Sequence, residues 1–357
     1  MYTTTLYVIG QCFLKEDFWH SSRIDDINLK THPHEKEYQM TLQILSLVRL
    51  SEQQIELLYQ SYPDCNVRCI RPTELGDDIP DVNILLGYDA QMDLERFLPR
   101  MPHLQWIHTY SAGVEKLLSD KSFSQSEILL TNSRGIHGIP MAEHVLGTML
   151  ASSRCLIEAW ENQKAHTWKR LSAADELFGK TTAIIGLGSI GREIAKHLKN
   201  MGMRIVAVKQ KESTEPFVDQ LFSIDHLPDA LSCADYVVVT LPLTPQTKKL
   251  FNLRTFNMMK ENAFFINVSR GDVVEEADLI KVLRDQRIRG AALDVFTKEP
   301  LPEDSPLWDV PNLFITPHYS AISPMYLDRS LKIFRNNLQI FPQRIGMLNV
   351  VDKLRGY

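Results

Sequence analysis

Residues 181–202 read TTAIIGLGSIGREIAKHLKNMG, which is an apolar run, a glycine-rich turn and a helical pattern in that order. A G-x-G-x-x-G turn that closes a strand and opens a helix is typical of dinucleotide-binding proteins. The first glycine permits the tight turn, the second lets a pyrophosphate approach the backbone, and the third allows close packing of helix on strand. The helix N-terminus then offers free N–H groups to the phosphates. The alternative is a tight strand–helix turn that binds no ligand.

The residues of this turn are the first candidates for contacts with a nicotinamide dinucleotide. They are Gly186, Gly188, Ser189, Ile190 and Gly191.

The strand that follows the helix, RIVAV at 204–208, ends where NAD-binding proteins place an acid on the adenosine ribose. This sequence has Lys209 there, and Lys211 follows after one residue. A lysine cannot accept hydrogen bonds from the ribose hydroxyls, but it can pair with the 2′-phosphate of NADP. The sequence thus predicts NADP (NADPH) as the preferred cofactor, with NAD possible. In the alternative, both lysines are solvated and Glu212 binds the ribose.

Apolar runs alternate with helical patterns on both sides of the glycine turn. The runs before it are LQILSLV, VRCIR, VNILLG, LQWIHTY and ILLTNS, and those after it are RIVAV, YVVVTL, AFFINV, AALDV and LFITP. This alternation predicts βαβ units with parallel sheets, and the Val, Ile and Ala runs suit strands buried on both faces. We therefore expect an α/β protein.

Two longer helical patterns flank the second series of strands. Between Pro140 and Trp168 apolar residues recur at helical spacing, which predicts one long helix connecting two domains. LDRSLKIFRNNLQIF, at 327–341, predicts a further amphipathic helix. Residues 1–40 show no clear pattern, and their role is unknown.

Composition excludes several classes of protein. A chain of 357 residues is expected to form two domains. Its net charge of −5 gives no broad basic field, so nucleic-acid binding is not expected. No apolar run approaches the ~20 residues that cross a bilayer, so no membrane association is expected. The first residues look like neither a secretory signal nor a transit peptide, and five scattered cysteines predict a reduced, cytoplasmic protein without a metal site.

Three polar residues follow strands of the second series, at the edge where open parallel sheets bind ligands. They are Arg270, Glu299 and His318. Reduction of a 2-keto acid needs a bidentate cation for the carboxylate and carbonyl, a proton donor that titrates near neutrality, and a carboxylate behind that donor. Each residue alone has an ordinary alternative, as a surface arginine, a loop acid or a structural histidine. Their placement at successive strand ends favours the catalytic interpretation.

Five motifs occur in the order GLGSIGREIA, TLPLTPQTKKLFN, FINVSRGDVV, AALDVFTKEPLP and TPHYSA. Together they resemble the D-isomer-specific 2-hydroxyacid dehydrogenase family from about residue 44 onward. SAGVEKLL and NSRGIHGIPMAEHVLG match its substrate-loop and hinge segments. The ending NVVDKLRGY is similar to the glyoxylate/hydroxypyruvate-reductase-like branch.

The resemblance implies roles for single residues. Arg270 would bind the substrate carboxylate and carbonyl, His318 would be the acid/base, and Glu299 would be its carboxylate partner. Asp294 would contact the nicotinamide carboxamide. The other implied cofactor contacts are Leu241, Pro242, Thr247, Val268 and Ser269.

The substrate itself would be held by a loop of the first series. The resemblance implies that the backbone of Ala112, Gly113 and Val114 holds the substrate carboxylate. Substrate selectivity would depend on Tyr88, Trp106 and Tyr110, with plain packing as the alternative for each.

The resemblance also implies a Rossmann dinucleotide-binding domain inserted in a flavodoxin-like, discontinuous substrate domain. The expected bounds are 41–139 with 319–357 for the substrate domain and 140–318 for the NAD(P)-binding domain. It implies a homodimer that reduces a small 2-keto acid of the glyoxylate or hydroxypyruvate type to a D-2-hydroxy acid. The alternative from another class is a dinucleotide-sensing, corepressor-like binding protein with little catalysis.

Overall fold

The computed structural model describes residues 41–354 except 77–78, 80, 89–91 and 211–213. Segment 1–40, the predicted cofactor contact Lys211 and its alternative Glu212 lie outside the described residues. In the described part of the chain, no helix combines the length and apolar character needed to cross a membrane.

Five parallel strands form the first sheet. They are β1 Leu42–Ser46, β2 Cys65–Cys69, β3 Ile84–Leu86, β4 Trp106–Thr109 and β5 Leu129–Asn132. Their order is β2-β1-β3-β4-β5, which is the flavodoxin-like order.

Seven parallel strands form the second sheet. They are β6 Thr181–Ile185, β7 Arg204–Val208, β8 Gln220–Phe222, β9 Tyr236–Val239, β10 Phe264–Asn267, β11 Gly290–Leu293 and β12 Leu313–Ile315. Their order, β12-β11-β10-β9-β6-β7-β8, extends the Rossmann order and reverses between β6 and β9. The predicted α/β fold class is confirmed. Strand β8 was not predicted, because QLF is too short to give a pattern.

Eleven α-helices connect and cover these strands in the described residues. They are α1 Glu52–Ser61, α2 Leu94–Phe97, α3 Glu115–Leu118, α4 Lys121–Ser124, α5 Gly138–Ser153, α6 Leu156–Lys164, α7 Ser189–Asn200, α8 Leu227–Cys233, α9 Leu253–Phe256, α10 Glu276–Arg284 and α11 Tyr326–Ile340.

The core of the second sheet follows from strand alternation. Ala183 and Ile185 of β6 belong to the cluster on one face, and Ile184 belongs to the cluster on the other face. Successive side chains of a strand point to opposite faces, so an uninterrupted apolar run fills both cores.

The prediction of one long connecting helix is wrong in one respect, because the structure has two helices there, α5 and α6. Cys155, between the two helices, has a left-handed φ of 54°. Met141, Val145 and Met149 are buried as the spacing predicts, whereas Leu156 and Trp160 beyond the break are exposed. Apolar periodicity alone did not reveal the change of direction.

The last helix returns to the first sheet. Leu331, Phe334 and Leu338 of α11 pack in one cluster with Leu42 and Ile44 of β1. The last helix thus completes the core of the first sheet, while the discontinuous substrate domain and its bounds remain a prediction.

Candidate active site

The glycine turn is closed at two positions and open at one. A Cβ at Gly186, whose φ is +104°, would lie 3.0 Å from the Leu241 backbone nitrogen. A Cβ at Gly191 would lie 2.4 Å from the Gly186 oxygen, whereas nothing lies within 4 Å of one at Gly188. The turn therefore packs tightly on its strands and leaves open space at its middle glycine. That shape fits the approach of a pyrophosphate to the backbone.

The remaining predicted cofactor contacts lie at the start of α7 and after strands β9 and β10. Ser189 and Ile190 form the start of α7, directly after the glycine turn. Thr247 Oγ1 donates to the Pro242 oxygen at 2.7 Å and accepts from the Thr244 N–H at 2.8 Å, which closes the turn after β9.

Val268 and Ser269 follow β10, and both are buried. Since Val268 packs in the core of the second sheet, its backbone rather than its side chain is available to a cofactor.

Arg270 follows directly in a turn that Asn267 shapes. Asn267 Oδ1 accepts from the Ser269 N–H at 3.0 Å, and its Nδ2 donates to the Arg270 oxygen at 3.1 Å. A Cβ at Gly271 would lie 1.9 Å from the Phe296 carbonyl carbon. Only glycine allows this approach, which brings the Arg270 turn against the loop that leads to Glu299.

His318 and Glu299 form the shortest carboxylate–histidine contact of the site. His318 Nδ1 lies 2.6 Å from Glu299 Oε2, and Glu299 Oε1 accepts from the Phe296 N–H at 2.9 Å. With Nδ1 bound to the carboxylate, the other ring nitrogen, Nε2, is the one available to a substrate. The His318 side chain is 49% exposed, so a ligand can reach it.

Asp294 organises the backbone around His318. It is buried, and its carboxylate accepts from Thr316 Oγ1 at 2.6 Å and from the Tyr319 and Ser320 N–H groups at 3.1 and 3.0 Å. Its backbone oxygen accepts from the His318 N–H at 2.9 Å. His318 itself has a left-handed φ of +50°. Asp294 thus holds the His318 turn, while its predicted contact with the nicotinamide remains a prediction.

The predicted substrate loop reaches Arg270 from the first sheet. A Cβ at Gly113 would lie 2.8 Å from Arg270 Nη2 and 2.6 Å from Glu115 Oε2. Arg270 Nη2 and Glu115 Oε1 are 3.6 Å apart. The structure thus brings Gly113 and Arg270 together and places a carboxylate of the chain beside them.

The N–H groups of this loop are used unequally. The Gly113 N–H donates to Ser111 Oγ at 3.1 Å, whereas the described residues provide no acceptor for the Ala112 and Val114 N–H groups. Asn132 Nδ2 donates to the Ala112 oxygen at 2.8 Å and fixes the loop.

A buried histidine lies behind the loop. His137 Nε2 lies 3.1 Å from the Tyr326 hydroxyl, which donates to the Tyr110 oxygen at 2.8 Å. Burial, and secondarily the charge of Arg270, lowers the pKa of His137 to about 4. The neutral ring therefore acts as a hydrogen-bonding support.

The three candidate selectivity residues differ in exposure. Trp106 is fully buried and stacks on Phe334 and Phe341, so the packing alternative is correct for it. Tyr88 is half-buried and packs against the core of the first sheet. The Tyr110 ring covers Gly87, where a Cβ would lie 2.3 Å from it.

Lys209 follows β7 as predicted and is bound to an acid. Its Nζ lies 2.8 Å from Glu215 Oε1. Arg192 of α7 contacts the same carboxylate through Nε and Nη2, at 2.8 Å each. A fully solvated Lys209, the alternative considered from the sequence, is therefore not what the structure has.

The sequence analysis missed several residues of this arrangement. Asn132 and Asn267 each end a strand next to a predicted loop, and that position could have indicated them. Glu115 lies within the matched substrate-loop segment, so its place in the site could also have been proposed. Arg192 and Glu215 are 23 residues apart, and no spacing rule relates them.

Groups of three or more histidine, cysteine or acidic side chains that could hold a metal ion do not occur among the described residues.

The structure is that of an α/β nucleotide-binding protein, as the two strand orders and the open glycine turn indicate. Its candidate site contains Arg270, Glu299 and His318, which follow the ends of parallel strands. A family model described as "D-isomer specific 2-hydroxyacid dehydrogenase, NAD binding domain" matches residues 146–320.

Similar proteins include glyoxylate/hydroxypyruvate reductase B of Escherichia fergusonii, which is 34% identical over 66% of this chain and 74% of the relative. D-3-Phosphoglycerate dehydrogenase of Methanocaldococcus jannaschii is 32% identical over 70% of this chain and 47% of the relative. The chain thus spans about half the length of that relative.

A crystal structure of NADPH-dependent glyoxylate/hydroxypyruvate reductase from Sinorhizobium meliloti, in complex with NADP and sulfate, has a TM-score of 0.74 and 26% identity, covering 88% of this chain and 100% of that one. The chain belongs to the D-isomer-specific 2-hydroxyacid dehydrogenase family and carries its NAD-binding domain. The predicted family and the predicted nicotinamide dinucleotide cofactor are confirmed.

Proposed function

We propose that the protein reduces small 2-keto acids of the glyoxylate or hydroxypyruvate type to D-2-hydroxy acids, with NADPH as the preferred reductant. The observation that carries the proposal is the Glu299–His318 pair at 2.6 Å, in a site where Arg270 meets the Gly113 loop. These are the cation, proton donor and carboxylate that keto-acid reduction requires.

Arg270 and the loop orient the substrate in this proposal. The guanidinium binds the carboxylate and the carbonyl oxygen, and the Ala112 and Val114 N–H groups supply further donors to the carboxylate. Positive charge beside the carbonyl stabilises the oxyanion that develops as the carbon is reduced. When bound, the reduced nicotinamide would supply the hydride.

His318 holds the proton. Its Nδ1–H donates to Glu299, which stabilises the imidazolium and fixes the ring, and Nε2–H faces the substrate. The proton passes from Nε2 to the developing alkoxide, and the neutral ring takes up a proton from solvent before the next turnover. The Phe296 N–H holds the Glu299 carboxylate in place.

Lys209 supports the preference for NADPH. It stands at the strand end where an acid would bind the ribose of NAD, and it cannot accept those hydrogen bonds. The Sinorhizobium meliloti reductase is described as NADPH-dependent, which agrees with this choice.

We also propose a homodimer in the cytoplasm. Helix α6 exposes Leu156, Ile157 and Trp160, and Trp168 just beyond it is 97% exposed. Apolar side chains grouped in this way mark an interaction surface, and we assign it to a second copy of this chain. Light scattering on the purified protein should give twice the chain mass.

A panel of keto acids tests the activity. NADPH and NADH oxidation would be measured with glyoxylate, hydroxypyruvate, pyruvate and 3-phosphohydroxypyruvate, and the product configuration would be determined. We expect the highest kcat/KM with glyoxylate or hydroxypyruvate and NADPH, and a D-configured product from hydroxypyruvate.

Two results would contradict the proposal. Cofactor binding without turnover of any keto acid would favour the corepressor-like alternative. A clear preference for 3-phosphohydroxypyruvate would assign the chain the substrate class of its phosphoglycerate dehydrogenase relatives. His318→Ala serves as the control that observed turnover belongs to this site.

A further inference from the structure

Arg192, Lys209 and Glu215 form a charged cluster beyond the end of β7. Arg192 and Lys209 both contact the Glu215 carboxylate, and each of the three nitrogen–oxygen distances is 2.8 Å. Arg192 lies directly after Gly191, the last glycine of the turn. The cluster therefore joins the start of α7 to the strand end that selects the cofactor.

The three side chains differ in exposure. The Glu215 side chain is 6% exposed, whereas those of Lys209 and Arg192 are 22% and 48% exposed. The acid is thus enclosed by its partners, and the cations form the outer part of the cluster.

Glu215 is poorly suited to replace the missing ribose acid. Its carboxylate already accepts three N–H donors and has almost no exposed surface. A ribose hydroxyl would have to displace Arg192 or Lys209 to reach it. The carboxylate is better suited to fixing two long side chains that would otherwise lose much rotamer freedom when they bind a ligand.

One nitrogen of the Arg192 guanidinium lies outside the ion pair with Glu215. It contacts Glu215 through Nε and Nη2, so Nη1 takes no part in the contact. A phosphate monoester carries about two negative charges at neutral pH and accepts several hydrogen bonds. Arginine matches phosphate geometry better than a single ammonium does.

We propose that Arg192 is a second determinant of NADP(H) selectivity, which binds the 2′-phosphate together with Lys209. In this arrangement Glu215 is a positioning residue that holds the two cations side by side. The inference rests on the proposed preference for NADPH and adds the residues that produce it.

Fragments of the cofactor test the proposal without turnover. Adenosine 2′,5′-bisphosphate and adenosine 5′-monophosphate differ only in the 2′-phosphate, and calorimetry on the full chain gives both affinities. We expect the wild-type protein to bind the bisphosphate at least about 10-fold more tightly, since one charge-assisted contact contributes that much. Arg192→Ala should lower the bisphosphate affinity about 10-fold and leave that of the monophosphate unchanged.

Lys196→Ala is the matched control, because Lys196 is another exposed cation of α7 and pairs with Glu193 instead. It should change neither affinity. Unchanged binding of the monophosphate also shows that each variant is folded.

Variants of Glu215 test the positioning role. Glu215→Ala should weaken bisphosphate binding several-fold, and Glu215→Gln, which keeps an acceptor oxygen, should restore it. Equal weakening of both ligands in Glu215→Ala would show that Glu215 contacts the ribose, and tighter bisphosphate binding would show that it opposes the phosphate. Either result overturns the positioning role.

The outcomes separate this inference from the proposed function. If the wild-type protein does not distinguish the two ligands, the preference for NADPH fails and the inference fails with it. If the wild type distinguishes them and Arg192→Ala distinguishes them by the same factor, the preference stands and Arg192 has no part in it.

Discussion

His318 and His108 show how differently one residue type is used in the two halves of this molecule. His318 follows β12, is half exposed, and contacts the Glu299 carboxylate at 2.6 Å. His108 lies within β4 and is fully buried, with Thr131 Oγ1 at 2.7 Å and Ser330 Oγ at 3.2 Å from its ring nitrogens. Burial lowers the pKa of His108 to about 3.

The partners explain the difference. A carboxylate stabilises an imidazolium, so His318 is suited to carry a proton to a ligand. Hydroxyl groups donate and accept equally well, so they satisfy a neutral ring. Trp106 Nε1 donates to Thr131 Oγ1 at 2.8 Å, which leaves the Thr131 hydroxyl free to donate to His108 Nδ1. A histidine is thus a candidate acid because of its partner and exposure rather than its type.

The largest expected effect is on turnover. His318→Ala should lower kcat by about 10²–10⁴-fold, the usual contribution of a positioned acid, or about 3–5 kcal/mol of transition-state stabilisation. The unfolding free energy should change little, because the side chain is half exposed. Steady-state kinetics and urea unfolding measure the two quantities, and wild-type kcat in the folded variant would remove His318 from the mechanism.

Replacement of the buried histidine should have the opposite pattern. His108→Ala leaves a cavity and deprives the Thr131 and Ser330 hydroxyl groups of their ring partner. It should lower the unfolding free energy by about 2–4 kcal/mol. The kcat of the protein that remains folded should stay near wild type. His103→Ala, at an exposed histidine paired with Asp81, is the control and should change stability little. A neutral result for His108→Ala would show that the hydroxyl groups repack without cost.

Acid should weaken the fold through the buried histidines. Their folded pKa values, about 3 for His108 and about 4 for His137, lie below the ordinary 6.5. Below pH 6.5 these histidines take up protons in the unfolded chain but not in the folded chain. The unfolding free energy is therefore largest above this pH and falls towards pH 4. The slope of the unfolding free energy against pH approaches about 1.4 kcal/mol per pH unit for each histidine. Urea unfolding between pH 7 and 4.5 should show a smaller slope in His108→Gln than in the wild type, and equal slopes would contradict this origin.

The smallest effect concerns the acid beside Arg270. Glu115 lies 3.6 Å from the guanidinium, and both side chains are exposed, so the pair contributes less than about 1 kcal/mol. In Glu115→Gln the competing charge is lost, and KM for the keto acid should fall about 2- to 5-fold with kcat nearly unchanged. Glu158→Gln, at an exposed acid paired with Lys169, is the control. An increase in KM would show instead that Glu115 orients Arg270.

The sequence was sufficient where one local pattern determines the outcome. The glycine turn between β6 and α7 and the apolar strands are local patterns, and the predicted fold class followed from them. Arg270, Glu299 and His318 were proposed because parallel strands end at a common edge. The structure brings Glu299 and His318 into contact, and their roles await the kinetic tests.

Features that depend on distant residues escaped the sequence analysis. Glu215 meets Arg192 and Lys209 only after β7 and α7 have packed together, and Glu115 meets Arg270 only because two sheets adjoin. Apolar residues recur at helical spacing on both sides of Cys155. The sequence pattern therefore did not show that α5 ends there and that α6 begins. Trp106 shows a further limit, since an aromatic residue near a strand end can be entirely buried.

The C-terminal segment contacts the end of β5, the strand whose Asn132 holds the Ala112 loop. The Val351 N–H donates to the Leu130 oxygen at 2.9 Å, and Asn349 Nδ2 donates to the Asn132 oxygen at 3.0 Å, at the strand end that fixes Ala112. Helix α11 completes the core of the first sheet. The ribosome therefore makes the first sheet early but supplies its missing helix only after the whole second sheet. A nascent chain can finish its NAD-binding domain while the first sheet still exposes apolar surface, and we expect chaperones to be needed most in that interval.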